Sequence, residues 1–267
     1  KGLDLRNLSM TMRGKDSLVT ADLKARIARG NISQKLNLLL LSPKSLKVIS
    51  SFEARNVESS HLLPAIGKIA TKKEVIGKIL SEEQGFLKGR LNMKAQIETD
   101  GLPHQWLKRL KGPLSLQIKN GSFSSGRLSQ SYFQNLSKLG IQEKAWDLRD
   151  FKMSGSFLDG GLLVENFDIS RFPLGSMYSD GRVGLDGRLS LRVATHLKRN
   201  LSGPLTKAEG DVLEVLNHLM GDMANKHGLS SAQVLPKDEF GRVIVFQKVR
   251  GTLSQPEFQL DSDRMKK

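Results

Sequence analysis

Hydrophobic and polar residues alternate along much of this chain. Val19, Ala21, Leu23, Ala25 and Ile27 are separated by Thr20, Asp22, Lys24 and Arg26. Leu46, Val48, Ser50, Phe52 and Ala54 alternate with Lys47, Ser51 and Glu53, with Ile49 out of pattern. The same rule spaces Leu91, Met93, Ala95 and Ile97, then Leu114, Leu116 and Ile118, then Leu189, Leu191 and Val193. Successive strand side chains point to opposite faces, so each run predicts a strand with one apolar and one wet face. Parallel strands, buried on both sides, would read as continuous apolar runs; this pattern predicts antiparallel pairing.

Turn signals punctuate the runs: Gly14-Lys15-Asp16, Ser42-Pro43, Asp100-Gly101, Asn120-Gly121, Asp159-Gly160-Gly161, Asp180-Gly181 and Asp186-Gly187. At the last of these, a two-residue loop would send the apolar sets of the two strands to opposite faces. A three-residue loop, Asp186 to Arg188, pairs Leu185 with Leu189 and Val183 with Leu191 and keeps all four on one face, so the longer loop is expected. A phrase recurs: Gly112 to Ile118 is echoed by Gly187 to Val193, and Gly155-Ser156-Phe157 and Gly251-Thr252-Leu253 suggest a similar glycine-then-strand rule. The irregular spacing predicts a meander of hairpins rather than a fixed-period solenoid.

Helical spacing lies between the strands. Leu62, Leu63, Ile66 and Ile69 predict one short helix near Pro64, and Val75, Ile76, Ile79 and Leu80 a second. A third starts at Pro103 and carries Trp106, Leu107 and Leu110; a fourth carries Leu128, Tyr132, Leu136 and Leu139. The longest runs from about Thr206 to His227, with a capping box at Thr206 to Glu209 and a stop at Gly228. The fold class expected is α+β and strand-dominated: an antiparallel sheet with inserted short helices and one longer helix near 206–227.

Composition narrows the function classes. The 267 residues hold 42 Lys and Arg against 27 Asp and Glu, a net charge of +15. Aromatic residues make up 6%, and the cations are spread out, with small groups at Lys72-Lys73, Lys108-Arg109-Lys111, Lys198-Arg199 and Lys266-Lys267. No basic–aromatic platform of the kind that stacks single strands is visible, so nucleic acid is not expected as a partner. A basic surface also suits anionic lipid headgroups. Cysteine is absent, which excludes a disulfide scaffold, a thiolate zinc site and a thiol nucleophile. The longest apolar runs, Leu38 to Leu41 and Val243 to Phe246, fall far short of the ~20 residues a spanning helix needs. The sequence starts inside an alternating pattern with no signal-peptide pattern and reads as a piece of a longer protein.

Candidate chemistry is sparse. Of the five histidines, His218 alone has a helical set, with Glu214 and Asp222 one turn to either side. That is not the two-histidine spacing of zinc peptidases, and such pairs are ordinary surface ion pairs. Gly121 to Gly126 resembles a phosphate loop, but Arg127-Leu128 stands where Lys and Ser or Thr would be needed. Gly181 to Gly187 lies in a strand pair rather than at a strand-to-helix turn, so a dinucleotide site is not expected. No Gly-x-Ser-x-Gly elbow is present. No catalytic residue, metal or cofactor is assigned, and the chain is expected not to be an enzyme.

With strands and turns laid out, the chain resembles the AsmA family of bacterial envelope proteins over roughly residues 50 to 262. The resemblance rests on Leu110-Lys111-Gly112-Pro113 through Asn120-Gly121, Met153 through Gly161, Gly181 through Leu191, and Val249 through Phe258, with weaker likeness at Leu87 to Leu91 and Thr99-Asp100-Gly101. Their order carries it more than any one phrase. It implies a single strand-rich unit over 1–267, divided into a first β-meander with a helical insert at 1–100 and an AsmA C-terminal-like repeat at 101–267. It also implies a periplasmic location, as part of a protein anchored in the inner membrane, and likeness to bridge-like lipid-transfer proteins whose curved, taco-like sheet forms an open apolar groove.

The residues agree at one point. One-sided strands need a cover for their apolar face, and a groove for acyl chains is one solution. The candidate lining is Leu91, Met93, Ala95 and Ile97; Leu114, Leu116 and Ile118; Val183 and Leu185; and Leu189, Leu191 and Val193. The partners then expected are phospholipid or another acyl lipid and membrane or envelope proteins. The other function class is a structural or protein-interaction domain of the envelope that uses a basic surface without conducting lipid. The same alternation could also close into an ordinary sheet–helix core.

Overall fold

The computed structural model describes residues 5–27, 29–42, 45–59, 87–102, 105–123, 146–172, 175–199, 236–252 and 255–265. They form one open antiparallel sheet of 12 strands, whose order in space is their order in sequence. The strands are β1 (Leu5–Lys15), β2 (Leu18–Ile27), β3 (Gly30–Ser42), β4 (Ser45–Glu58), β5 (Leu87–Thr99), β6 (Gly112–Phe123), β7 (Trp146–Leu158), β8 (Gly161–Phe172), β9 (Gly175–Gly184), β10 (Leu189–Leu197), β11 (Ile244–Thr252) and β12 (Gln255–Leu260). Pairing runs through position 100 without a break, β5 against β6.

Among the described residues, two short helices accompany the sheet, α1 (Trp106–Arg109) and α2 (Ser262–Met265). The helix expected from Pro103 to Leu110 is therefore a single turn, and Leu110 beyond it is extended. Thr99 Oγ1 donates to the Trp106 carbonyl at 2.9 Å and Trp106 Nε1 donates to the Gly101 carbonyl at 3.2 Å, which folds the turn back on β5. The helices expected at 62–69, 75–80, 128–139 and 206–227 lie outside the described residues.

Two expected turns are not turns. Asn120-Gly121 lies inside β6, where Asn120 has φ 50°. Between the pairs Lys88–Ser122 and Arg90–Lys119, β6 holds one residue more than β5, which is a β-bulge. Asp180-Gly181 lies inside β9, where Gly181 pairs with both Val164 and Leu191. Gly181 has φ 130°, and a Cβ there would collide with the Ser190 carbonyl. A residue at positive φ is needed at a bulge or a close strand crossing as well as at a turn, so Asn-Gly and Asp-Gly read alike in both.

Asp186-Gly187 is a turn, and its loop has the expected three residues but starts one residue earlier than expected, at Leu185. Val183 pairs with Leu189 and Gly181 with Leu191, and Gly184, the last residue of β9, is bonded to Arg188, which leaves Leu185 to Gly187 as the loop. The Gly184 N–H donates to the Arg188 carbonyl at 2.8 Å, and the Gly187 N–H to the Gly184 carbonyl at 2.9 Å. The register moves by two positions, which preserves the faces. The glycine-then-strand rule also fails twice, since Gly155 lies inside β7 and Gly251 near the end of β11.

Directly paired positions share a face. Ala25, Ile32, Ala54, Met93, Leu116, Met153 and Phe167 form one continuous apolar row across β2 to β8. The next row towards one end holds Val57, Leu91, Ile118, Phe151 and Ile169, all buried. Burying each of these side chains contributes about 1.5–3 kcal/mol. The three longest connections, over 59–86, 124–145 and 198–243, all leave the sheet at this end, which also carries the short β2–β3 and β8–β9 connections.

Candidate functional site: a one-sided apolar face

Every expected lining residue except Leu185 lies on one face of the sheet. In β5 and β6, Leu91 pairs with Ile118, Met93 with Leu116 and Ala95 with Leu114, and Ile97 is next in alternation. In β9 and β10, Val183 pairs with Leu189, and Leu191 and Val193 follow at the same parity. Pairings through β7 and β8, Leu116 to Met153 to Phe167 and Phe157 to Leu162 to Val183, join the two groups. Leu185 sits in the turn between β9 and β10, and its N–H donates to the Gly160 carbonyl at 2.9 Å.

The face grades from covered to open. Leu91, Ile118 and Val193 are buried, but Met93, Ala95, Ile97, Leu114, Leu116, Val183, Leu189 and Leu191 are only half-buried. Toward β1 the exposure rises, to 53% at Leu40 and 62% at Met12. Ser179 and Gly181 thin the face at β9.

Sequence reasoning missed the contribution of β7 and β8. Phe151, Met153 and Phe157 alternate on β7, with Gly155 filling the intervening apolar position. On β8, Leu162 and Val164 are followed by Phe167 and Ile169, because a bulge at Glu165 and Asn166 inserts one residue. That insertion hides the period from any reading of strict alternation. Phe151 and Phe167 meet edge-to-face with ring centroids 5.2 Å apart.

The other face is polar and carries the ion pairs. Glu53 lies 2.8 Å from the Arg55 guanidinium and 3.4 Å from Lys94 Nζ. The hydrogen bond from Arg55 outweighs partial desolvation and, with Lys94, holds the Glu53 carboxyl below its ordinary range. Arg192 grips Asp180 through two hydrogen bonds of 2.8 and 3.0 Å. Two adjoining hollows of about 710 and 600 Å³ share Glu53, Arg55, Lys94, Ser115 and Ser154. Alternation directs all five of those side chains to the polar face. Among the described residues, these hollows are therefore recesses of the wet side, not of the apolar one.

Two carboxylates stand out on the polar side. Asp238 lies between β10 and β11. Its Oδ2 is 2.9 Å from His196 Nδ1 and accepts from Arg242 Nε at 2.7 Å. Its Oδ1 accepts the N–H groups of Phe240 and Arg242 at 3.0 and 2.9 Å. Burial works against ionisation here, but the bonds from His196 and Arg242 outweigh it and hold the carboxyl well below the usual range. Asp168, on β8, behaves oppositely: burial raises its carboxyl, Lys152 only partly offsets that, and Asp150 adds to it. Its Oδ1 is buried without a hydrogen-bond partner.

No group of three or more histidine or acidic side chains poised to hold a metal is found among the described residues. The His218 set falls outside them. Among the described residues no helix is long and apolar enough to cross a membrane. No family model matches the chain, and no curated protein or solved structure does.

Proposed function

We propose that this chain is a non-enzymatic lipid-handling domain of the bacterial cell envelope, carrying acyl chains along the apolar face of its sheet. The observation that supports it most is the continuity of that face from β1 to β11, together with its half-buried state over the central strands. Extended exposed apolar patches mark binding surfaces, and this one is far longer than a small-molecule pocket needs. The resemblance to the AsmA family adds the rest of the reading: a periplasmic location, as part of a protein anchored in the inner membrane, and phospholipid transport between membranes or outer-membrane homeostasis as the role.

The physics asks little of such a surface. A buried methylene is worth about 0.8 kcal/mol, so exposing a sixteen-carbon chain costs on the order of 12 kcal/mol. A carrier need only match the bilayer's apolar environment. It requires neither a tight pocket nor a reaction. Native mass spectrometry of the purified chain tests the reading. Co-purified phospholipid, released by organic extraction, is expected; a protein that stays free of lipid when purified and after incubation with phospholipid vesicles sinks it.

The second reading is an envelope-protein docking domain without lipid. The excess of 42 basic over 27 acidic residues favours it, and it predicts salt-sensitive capture of an acidic partner by lipid-free protein.

A further inference from the structure

One end of the sheet carries the β1–β2, β3–β4, β5–β6, β7–β8, β9–β10 and β11–β12 connections, all of them internal to the chain. Six of the twelve large hydrophobic side chains exposed among the described residues lie along this margin: Leu18, Leu40, Leu41, Leu102, Leu107 and Leu158, between 37% and 54% exposed. Neighbouring segments of the margin touch in series. The Leu40 N–H donates to the Ser17 carbonyl at 2.9 Å, and the Leu46 N–H to the Gly101 carbonyl at 3.3 Å. A Cβ at Gly160 would stand 3.7 Å from Lys108 Cα, and the Leu185 N–H donates to the Gly160 carbonyl at 2.9 Å. Charge gathers around α1. The β5–β6 connection holds Lys108, Arg109 and Lys111 against one carboxylate, Asp100. Arg109 lies 3.0 Å from Asp100, which leaves the exposed Lys108 and Lys111 as the excess. Elsewhere on the margin Arg188 lies 3.3 Å from Asp186, Lys15 neighbours Asp16 in sequence, and Asp159 is the remaining described carboxylate.

We propose that this margin, centred on α1, seats on the surface of an anionic lipid bilayer. Leu102 and Leu107 enter the outermost acyl layer, Trp106 lies at headgroup level, and Lys108 and Lys111 stay beside the phosphates. Protein interfaces lose charge toward their centre. Here lysines are interleaved with exposed leucines at a tryptophan-bearing turn, which suits an interface where apolar side chains insert and cations remain among headgroups. The apolar face runs out to the margin at the pairs Leu40–Leu46 and Val183–Leu189, so a bilayer seated here meets that face edge-on. A passage of lipid between the two rests on the reading given above; the seat itself does not.

The test uses the whole chain and two kinds of vesicle, equal parts phosphatidylglycerol and phosphatidylcholine, or phosphatidylcholine alone. Flotation with the anionic vesicles is expected, about tenfold tighter than with the neutral ones at low salt. In Trp146→Phe, where Trp106 is the one tryptophan left, the emission should shift to the blue as vesicles bind. Leu102→Ser/Leu107→Ser and Lys108→Glu/Lys111→Glu should each keep the melting temperature and weaken binding about tenfold or more. Lys24→Glu/Lys35→Glu makes the same change of charge at exposed positions of the wet face and should bind within about threefold of the parent. The proposal is overturned if no vesicle binds, if the Trp106 emission stays fixed, or if both charge pairs weaken binding equally. It is also overturned if sedimentation without vesicles shows a dimer that Leu102→Ser/Leu107→Ser dissociates, which assigns the margin to a second copy. A chain that co-purifies with phospholipid but ignores vesicles leaves the lipid reading standing while this one fails. A chain that stays free of lipid yet floats through α1 does the reverse.

Discussion

Leu116 on β6 pairs directly with Met153 on β7, and Gln117, one residue on, pairs with Lys152 on the opposite face. Two neighbouring positions thus report on two different environments. Leu116→Glu places a carboxylate among acyl chains on the proposed lipid path, where an unpaired charge is expensive. Gln117→Glu adds the same charge beside Lys152 and should be nearly silent. The expected result is loss of co-purifying lipid in Leu116→Glu alone, with both melting temperatures within a few degrees of the parent. Unfolding of Leu116→Glu would mean that the face is a closed core, and equal lipid in both variants would also end the lipid reading.

Asp168 should be a site where removing charge stabilises. Its folded carboxyl is raised by burial, so the folded state binds a proton more readily than the unfolded one. The stability linked to it is highest below the unfolded carboxylate value of about 3.9 and falls as pH rises through the folded value. Asp168→Asn is therefore expected to raise the melting temperature by about 2–4 °C near pH 7. The gain should shrink toward acid pH; a gain independent of pH would point to some cause other than charge.

Asp238 carries the opposite sign. Its depressed carboxyl contributes stability that is full above about pH 3.9 and is lost as pH falls through the folded value. Asp238→Ala removes acceptors for His196, for the Arg242 guanidinium and for two backbone N–H groups, and should cost about 2–3 kcal/mol in urea unfolding at pH 7. His196→Ala removes one of those bonds and should cost about 1 kcal/mol. The Asp238→Ala penalty should diminish below pH 4. Equal penalties for the two variants would contradict the bonding described.

Gly181 and Gly14 make a matched pair. A Cβ at Gly181 meets the Ser190 carbonyl at a φ of 130°, whereas a Cβ at Gly14 meets nothing within 4 Å. Gly181→Ala should destabilise by about 2 kcal/mol or more. Gly14→Ala should stay within about 0.5 kcal/mol, read by the same denaturant titration.

Legibility in the sequence followed the regularity of each strand. β2 and β10 alternate without interruption, as do β5 from Leu91 to Ile97 and β6 from Leu114 to Ile118, and their shared face could be read directly. The bulge at Glu165 and Asn166 concealed β8, and Asn120 and Gly181 at positive φ imitated turns. Parity survived the misplaced loop between β9 and β10 because the register slip was by two, so face assignments held where register did not. The joining of His196 to Asp238 spans 42 positions of chain and leaves no local signal. Nor does alternation say on which face a sheet is recessed, so the polar hollows were invisible.

The strictly sequential strand order has a mechanical meaning. β1 begins opposite the end of β2, where Leu5 pairs with Ile27, and β12 finishes at Leu260 opposite Gln247 in the first half of β11. The chain therefore enters and leaves the sheet near the same end, at opposite rims. Tension between those two points acts across the strands rather than along them, and loads one hydrogen bond of the outermost ladder at a time. Such a sheet peels from its borders like a zipper, giving way at low force and strand by strand, and whatever clasps a border sets the force at which peeling starts.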